Sequence, residues 1–269
     1  MIGKKRGILV VSFGTSYAAV RKSCIESVEK KIAETFSGYE VRRAFTSGMV
    51  IKKIKERDKI FIDNPEEALL KMKKEGFKEV VVQPLHIIPG VEYEKVKDAV
   101  EKFKNGSFKK IVLGRPVLYD KEDYGAAVRA LKIQIPKLDN HQTVVFMGHG
   151  TCHFSNACYT FLQSILNVHG LNVFVATVEG YPELKDIIPE LKARGIIEIT
   201  LMPYMLVAGD HVINDMAGEK ENSWKNILIK AGFKVDMYLH GLGENPAYQD
   251  IYVQHVQDII GEPLEKKGL

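Results

Sequence analysis

The sequence predicts an α/β protein built from two similar, doubly wound lobes with parallel sheets, produced by internal duplication. Three observations carry this prediction. Short apolar, β-branched runs alternate with amphipathic helical segments. The runs are too short for helices and mostly apolar on both faces, as in parallel strands covered on both sides. The chain also repeats itself. Val10-Val11-Ser12-Phe13-Gly14-Thr15 is matched by Phe146-Met147-Gly148-His149-Gly150-Thr151. Ala44-Phe45-Thr46-Ser47-Gly48 is matched by Ala176-Thr177-Val178-Glu179-Gly180. Gln83-Pro84-Leu85, leading to Gly90-Val91-Glu92, is matched by Met202-Pro203-Tyr204, leading to Gly209-Asp210-His211.

In order, the strand runs cover residues 7–11, 41–45, 79–83, 110–113, 144–147, 173–178, 196–202 and 235–239. Between them, Asn64-Pro65-Glu66-Glu67 reads as an N-cap, a proline at the first helical position and two acids that suit the helix dipole. That helix should stop at Gly76, a left-handed cap. Tyr181-Pro182-Glu183 opens another helix, closed by Gly195, and Asn245-Pro246 opens the last. The polar segment after Pro136 reads as a connector, which divides the chain into an N-terminal lobe of residues 1–138 and a C-terminal lobe of residues 139–269. The polar end from Gly261 onward is expected to fray. In open α/β sheets ligands bind beyond the carboxyl ends of the strands. All six matched positions lie there, and the expectation is one ligand in a cleft between the lobes.

A chain of 269 residues has room for two lobes of roughly 130 residues each. Apolar content of 45% and charged content of 27% are ordinary for a soluble protein. A net charge of +4 is too mild to indicate nucleic acid, and no Arg-rich stripe with interleaved aromatics appears. The basic start, Met1 to Arg6, leads into an apolar run that stops at Val11, so no signal peptide is expected. No stretch approaches the roughly 18 apolar residues of a membrane helix. Cys24, Cys152 and Cys158 show no CxxC spacing, and a reducing cytoplasm is the expected location. Homo-oligomerisation is left open.

At the three matched turns the first half offers Phe13, Ser47 and Glu92, and the second offers His149, Glu179 and His211. Two imidazoles and a carboxylate suit a divalent transition metal. Each has an ordinary alternative. His149, between two glycines, reads equally as a turn histidine. Glu179 reads as an N-cap or first-turn acid of the following helix. His211 reads as a surface-loop histidine, or as a ligand whose tautomer Asp210 and Asp215 hold. Their coincidence at matching turns favours the metal reading. Cys152, His153 and Cys158 read as packing or capping residues near the next helix. His86 can face the cleft or be a satisfied structural histidine. Glu92 can be a base or a helix-opening acid. Ser12, Thr15 and Ser16 cap the first helix or donate to substrate carboxylates.

Competing motifs fail. Gly148-His149-Gly150 begins a GxGxxG-like string, but His153 stands where the last glycine belongs. There is no GxSxG elbow and no GxxxxGK[ST] loop.

Ser12-Phe13-Gly14-Thr15-Ser16, Gln83 to Gly90, Met147-Gly148-His149-Gly150-Thr151, Val178-Glu179-Gly180-Tyr181-Pro182 and Gly209 to Met216 together resemble the anaerobic sirohydrochlorin cobalt chelatases. These are class II chelatases, related to ferrochelatase. The resemblance covers almost the whole chain. It implies a bilobal fold from gene duplication, a tetrapyrrole as partner, and insertion of Co²⁺ into sirohydrochlorin or precorrin-2 on the anaerobic route to cobalamin. It places metal-binding and catalytic roles on His149, Glu179 and His211. Glu92 is a further catalytic candidate, and Ser12, Phe13, Thr15 and His86 are candidates for contacting the tetrapyrrole. Co²⁺ enters as substrate metal, and no organic cofactor, nucleic acid or membrane is expected. The rival readings are Fe²⁺ insertion into a tetrapyrrole and a two-lobed metal or tetrapyrrole carrier without turnover.

Overall fold

A computed structural model describes residues 5–261. The predicted basic start and frayed tail fall largely on residues 1–4 and 262–269, outside the described residues. All eight strand runs form strands: β1 (Arg6–Ser12), β2 (Glu40–Phe45), β3 (Glu79–Pro84), β4 (Lys110–Leu113), β5 (Gln142–Gly148), β6 (Val173–Thr177), β7 (Glu198–Pro203) and β8 (Lys234–Met237). Among the described residues they make two four-stranded sheets, ordered β2-β1-β3-β4 and β6-β5-β7-β8. Every pairing is parallel. The same order with corresponding strands makes the duplication visible as topology. In each sheet the chain reverses direction of travel beside its first strand, between β1 and β3 and between β5 and β7, and ligands bind at such switch points.

The central strands are dry on both faces because both faces carry apolar side chains. Val145 and Met147 of β5 pack with Leu201, Leu184, Leu191, Trp224 and Leu228, while Val144 and Phe146, pointing the other way, are also fully buried. In the first sheet Leu9, Val11, Val80 and Val82 pack with Leu69, Met72 and Val96. Each such side chain contributes roughly 1.5–3 kcal/mol by leaving water. The outer strands β4 and β8 are short, only partly buried, and open with Lys110 and Lys234, which discourages further strand pairing.

The helix Pro65–Lys74 is closed at its start by a capping box: the Glu67 amide donates to Asn64 Oδ1 and the Asn64 amide to Glu67 Oε2, each at 3.0 Å. Gly76, at φ +82°, follows its end. The helix expected at Pro182 begins at Leu184 instead, with Glu183 as N-cap and a cis Tyr181–Pro182 peptide before it.

The predicted boundary at 138/139 is corrected. Among the described residues, one compact unit comprises 5–119 together with 246–261; the other is Asp120–Asn245. Helix Lys121–Gln134 joins the second unit, where Asn245 Nδ2 donates to Ala130 O and Gln134 Oε1. Helix Pro246–Ile260 joins the first. There the Tyr252 hydroxyl donates to Leu85 O at 3.0 Å, and Arg115 pairs with Asp258 at 2.8 Å. Among the described residues no helix is long and apolar enough to cross a membrane.

Candidate metal centre

β5 and β6 run on as a ladder beyond their ends. The Val178 amide donates to Gly148 O at 3.0 Å and the Glu179 amide to His149 O at 2.8 Å. These bonds hold His149 and Glu179 side by side. The loop bearing Glu179 is closed at its base by Thr177, whose amide and hydroxyl both donate to Pro182 O, at 2.7 and 3.0 Å. On the other flank of β5, Tyr204, just past β7, donates its amide to Met147 O at 2.8 Å.

The two glycines around His149 are required by space. A Cβ on Gly148 would lie 2.5 Å from the Tyr159 ring. Gly150 has φ +78°, and a Cβ there would lie 2.7 Å from Thr177 Cβ and 2.8 Å from Gly180 N. Only glycine adopts this backbone at such close approach. Tyr159 lies buried beneath the loop; burial pushes its phenol up to about 12, opposed by smaller contributions from hydrogen bonds with the Gly150 and His149 backbone.

The structure brings His149, Glu179 and His211 together, with one ligand atom from each within 4.8 Å of the others. The imidazoles stand edge to face, centroids 4.7 Å apart and planes at 88°. His149 Nδ1 is 4.0 Å from Glu179 Oε2. Each ring is also held at Nδ1: His149 by Gly150 O at 2.9 Å, and His211 by Asp215 Oδ2 at 2.6 Å. Asp215 is one of the two aspartates expected to hold that ring. With a proton on each Nδ1, each Nε2 keeps a lone pair for an ion. The three side chains are 44%, 59% and 32% exposed, so an ion on them stays open to a further ligand.

The first lobe carries the same backbone ties without the metal donors. Thr46 donates its amide to Ser12 O at 2.9 Å, Ser47 to Phe13 O at 3.3 Å and Leu85 to Val11 O at 2.7 Å. Gly14, at φ +93°, occupies the place of Gly150. Phe13 and Ser47 thus stand where His149 and Glu179 stand. Phe13 is exposed, and Ser47 is buried as the N-cap of helix Gly48–Asp58, accepting from Val50 N. Glu92 lies in the first turn of helix Val91–Glu101. Its Oε1 accepts from Lys95 Nζ at 2.5 Å, and its Oε2 is buried without a hydrogen-bond partner among the described residues.

Both ring nitrogens of His86 are likewise buried and unpartnered among the described residues, which corrects the reading of a satisfied structural histidine. Burial pushes the imidazole down to about 4, against the smaller upward pull of the Glu92 charge. The capping reading is corrected for Ser12: its hydroxyl is buried with no partner among the described residues, and Tyr17 is the N-cap of the first helix, with no side-chain capping bond. Thr15 Oγ1 instead accepts from Tyr17 N at 3.3 Å. Cys152 is exposed rather than packed. His153 caps the short helix Phe154–Asn156, accepting from Ser155 N, and the half-buried Cys158 thiol is pushed up by burial.

Two duplicated parallel α/β lobes, one of them gathering two imidazoles and a carboxylate beyond its strand ends, define the chelatase class of two-lobed proteins. The structure of SirB from Bacillus subtilis with Fe³⁺ shares this fold, with a TM-score of 0.65 at 16% identity over 94% of this chain and 95% of that one. The chain belongs to the cobalt chelatase (CbiK) family, whose match spans residues 6–261. It is 41% identical over 262 residues to the sirohydrochlorin cobaltochelatase of Salmonella typhimurium, covering 97% of this chain and 99% of that one. It is 34% identical over 256 residues to the sirohydrochlorin cobaltochelatase CbiKC of Nitratidesulfovibrio vulgaris, covering 94% and 89%.

Proposed function

We propose that this protein is a sirohydrochlorin cobaltochelatase that delivers Co²⁺ from His149, Glu179 and His211. The carrying observation is the convergence of three ligand atoms within 4.8 Å, with both imidazoles already oriented through Nδ1. The relatives named for this reaction support it over nearly their full length. Three protein donors leave coordination positions for incoming ring nitrogens. Insertion breaks two pyrrole N–H bonds, forms metal–nitrogen bonds and strips the ion of its remaining ligands. As the ion leaves, Glu179 and the two imidazoles regain the lone pairs that bound it and can accept the two protons before passing them to water.

In the first lobe, Glu92 is assigned as a further proton acceptor, since its Oε2 is buried with no partner among the described residues, and His86, whose ring nitrogens are likewise unpartnered there, is assigned to contact with the macrocycle as a neutral imidazole. Ser12, Phe13 and Thr15 are assigned to contacts with the macrocycle. We place the protein in the cytoplasm, consistent with its three free thiols, which a reducing compartment keeps unpaired.

The test is anaerobic incubation with sirohydrochlorin and Co²⁺ at substoichiometric protein, followed by absorbance. Multiple turnovers are expected, and His149→Ala combined with His211→Ala should abolish them. An unchanged rate in the double variant refutes the site. Turnover with Fe²⁺ but not Co²⁺ refutes the metal, because this donor set accepts several first-row ions. Stoichiometric binding without turnover establishes a carrier instead.

A further inference from the structure

The loop bearing His149 and the loop bearing Glu179 are joined by one side chain that sequence reasoning does not single out. Asn156 lies at the end of the short helix Phe154–Asn156. Its Oδ1 accepts the Thr151 amide at 3.1 Å, two residues past His149. Its Nδ2 donates to Tyr181 O at 2.6 Å, two residues past Glu179. Gly180, between them, lies directly against this amide: a Cβ there would collide with Asn156 Oδ1. The backbone ladder fixes the near side of the pair, through Glu179 N to His149 O. The Asn156 carboxamide fixes the far side.

We propose that Asn156 is the positioning residue of the metal centre, setting the separation of the His149 and Glu179 donors through one bridging carboxamide. The inference rests on the reading of His149, Glu179 and His211 as the metal ligands. An amide suits the task because it offers an acceptor and a donor on one rigid plane. A carboxylate would set an oxygen against the Tyr181 carbonyl, and alanine would release both loops. The glycine at 180 follows from the same arrangement, since any larger residue would push the carboxamide out of the bridge. Supporting partners of this kind are worth about 10–100-fold in metal affinity.

The experiment titrates Co²⁺ into the full chain and reads both the dissociation constant and the visible d–d absorption of the bound ion. Asn156→Ala should weaken binding by about 10–100-fold and alter the d–d bands, while thermal unfolding stays cooperative. Gly180→Ala, which displaces the carboxamide without removing it, should reproduce both changes. Combined with Glu179→Ala, the Asn156→Ala loss should be smaller than in the parent, because the residue acts through the ligand pair. Parent-like affinity and bands in both single variants overturn the proposal. So do losses that add in full with Glu179→Ala. If the parent protein itself binds Co²⁺ no better than the His149→Ala, His211→Ala double variant, the metal-site reading has failed instead, and the proposal with it.

Discussion

The unpartnered His86 ring makes the stability of the first lobe depend on acid in a calculable way. The pKa falls from 6.5 to about 4 on folding because burial disfavours the imidazolium. The unfolded chain therefore binds a proton that the folded chain refuses between those values. Stability attributable to neutral His86 is fully present above about pH 6.5 and is lost as pH falls toward 4. The loss is about 2 kcal/mol at pH 5 and about 3 kcal/mol at pH 4. Replacing His86 with leucine removes this term while keeping Glu92 and Lys95, the charges that act on the ring, in place. Urea unfolding at pH 7.5, 5 and 4 measures it, with hydrogen exchange read on peptides of β3 for the first lobe and β7 for the second. The parent should lose about 2 kcal/mol more than His86→Leu at β3 between pH 7.5 and 5, with no difference at β7. Equal pH dependence at β3 would refute the reasoning.

Gly150→Ala should destabilise the second lobe by at least about 1–2 kcal/mol from its left-handed backbone alone, and by more from the contact with Thr177; chemical denaturation followed by Trp224 fluorescence checks this. The same variant should weaken Co²⁺ binding, because relief of the clash moves the loop that carries Glu179. Asp215→Asn keeps the shape beside His211 and removes the charge on its Nδ1 partner; Co²⁺ affinity should fall by about 10–100-fold, measured by calorimetry. Asn64→Ala breaks one half of the capping box and should cost about 1 kcal/mol in urea denaturation, with Co²⁺ affinity unchanged.

The central strands β1, β3 and β5 were legible because each holds an apolar run buried on both faces, while β2 and β8, interrupted by Arg42, Arg43 and Asp236, were legible from their β-branched and aromatic residues and their spacing between helices. The triplet was legible because duplication supplies an internal reference: Phe13 and Ser47 mark the turns at which His149 and Glu179 differ, and the structure holds both pairs by equivalent amide-to-carbonyl bonds. Gly-His-Gly spacing added a steric reason for one of them. The lobe boundary was not legible. Helix Pro246–Ile260 is amphipathic like any other, and what assigns it to the first unit is a set of pairings more than a hundred residues distant, such as Tyr252 with Leu85 and Asp258 with Arg115. Ser12 looked like a helix cap because it is a small hydroxyl before a helix, yet it is the last residue of a buried strand. Asn156 gave no signal, since its partners are backbone groups, which any sequence possesses.

The return of helix Pro246–Ile260 to the first unit has a consequence for synthesis. The unit Asp120–Asn245 is one unbroken stretch, so all of its core leaves the ribosome before that helix does. The first unit has its four strands early but lacks a helix that covers them until the chain has passed through the whole of the other. A nascent chain can thus complete the half bearing His149, Glu179 and His211 while the half it began with still has an open face for a chaperone to guard.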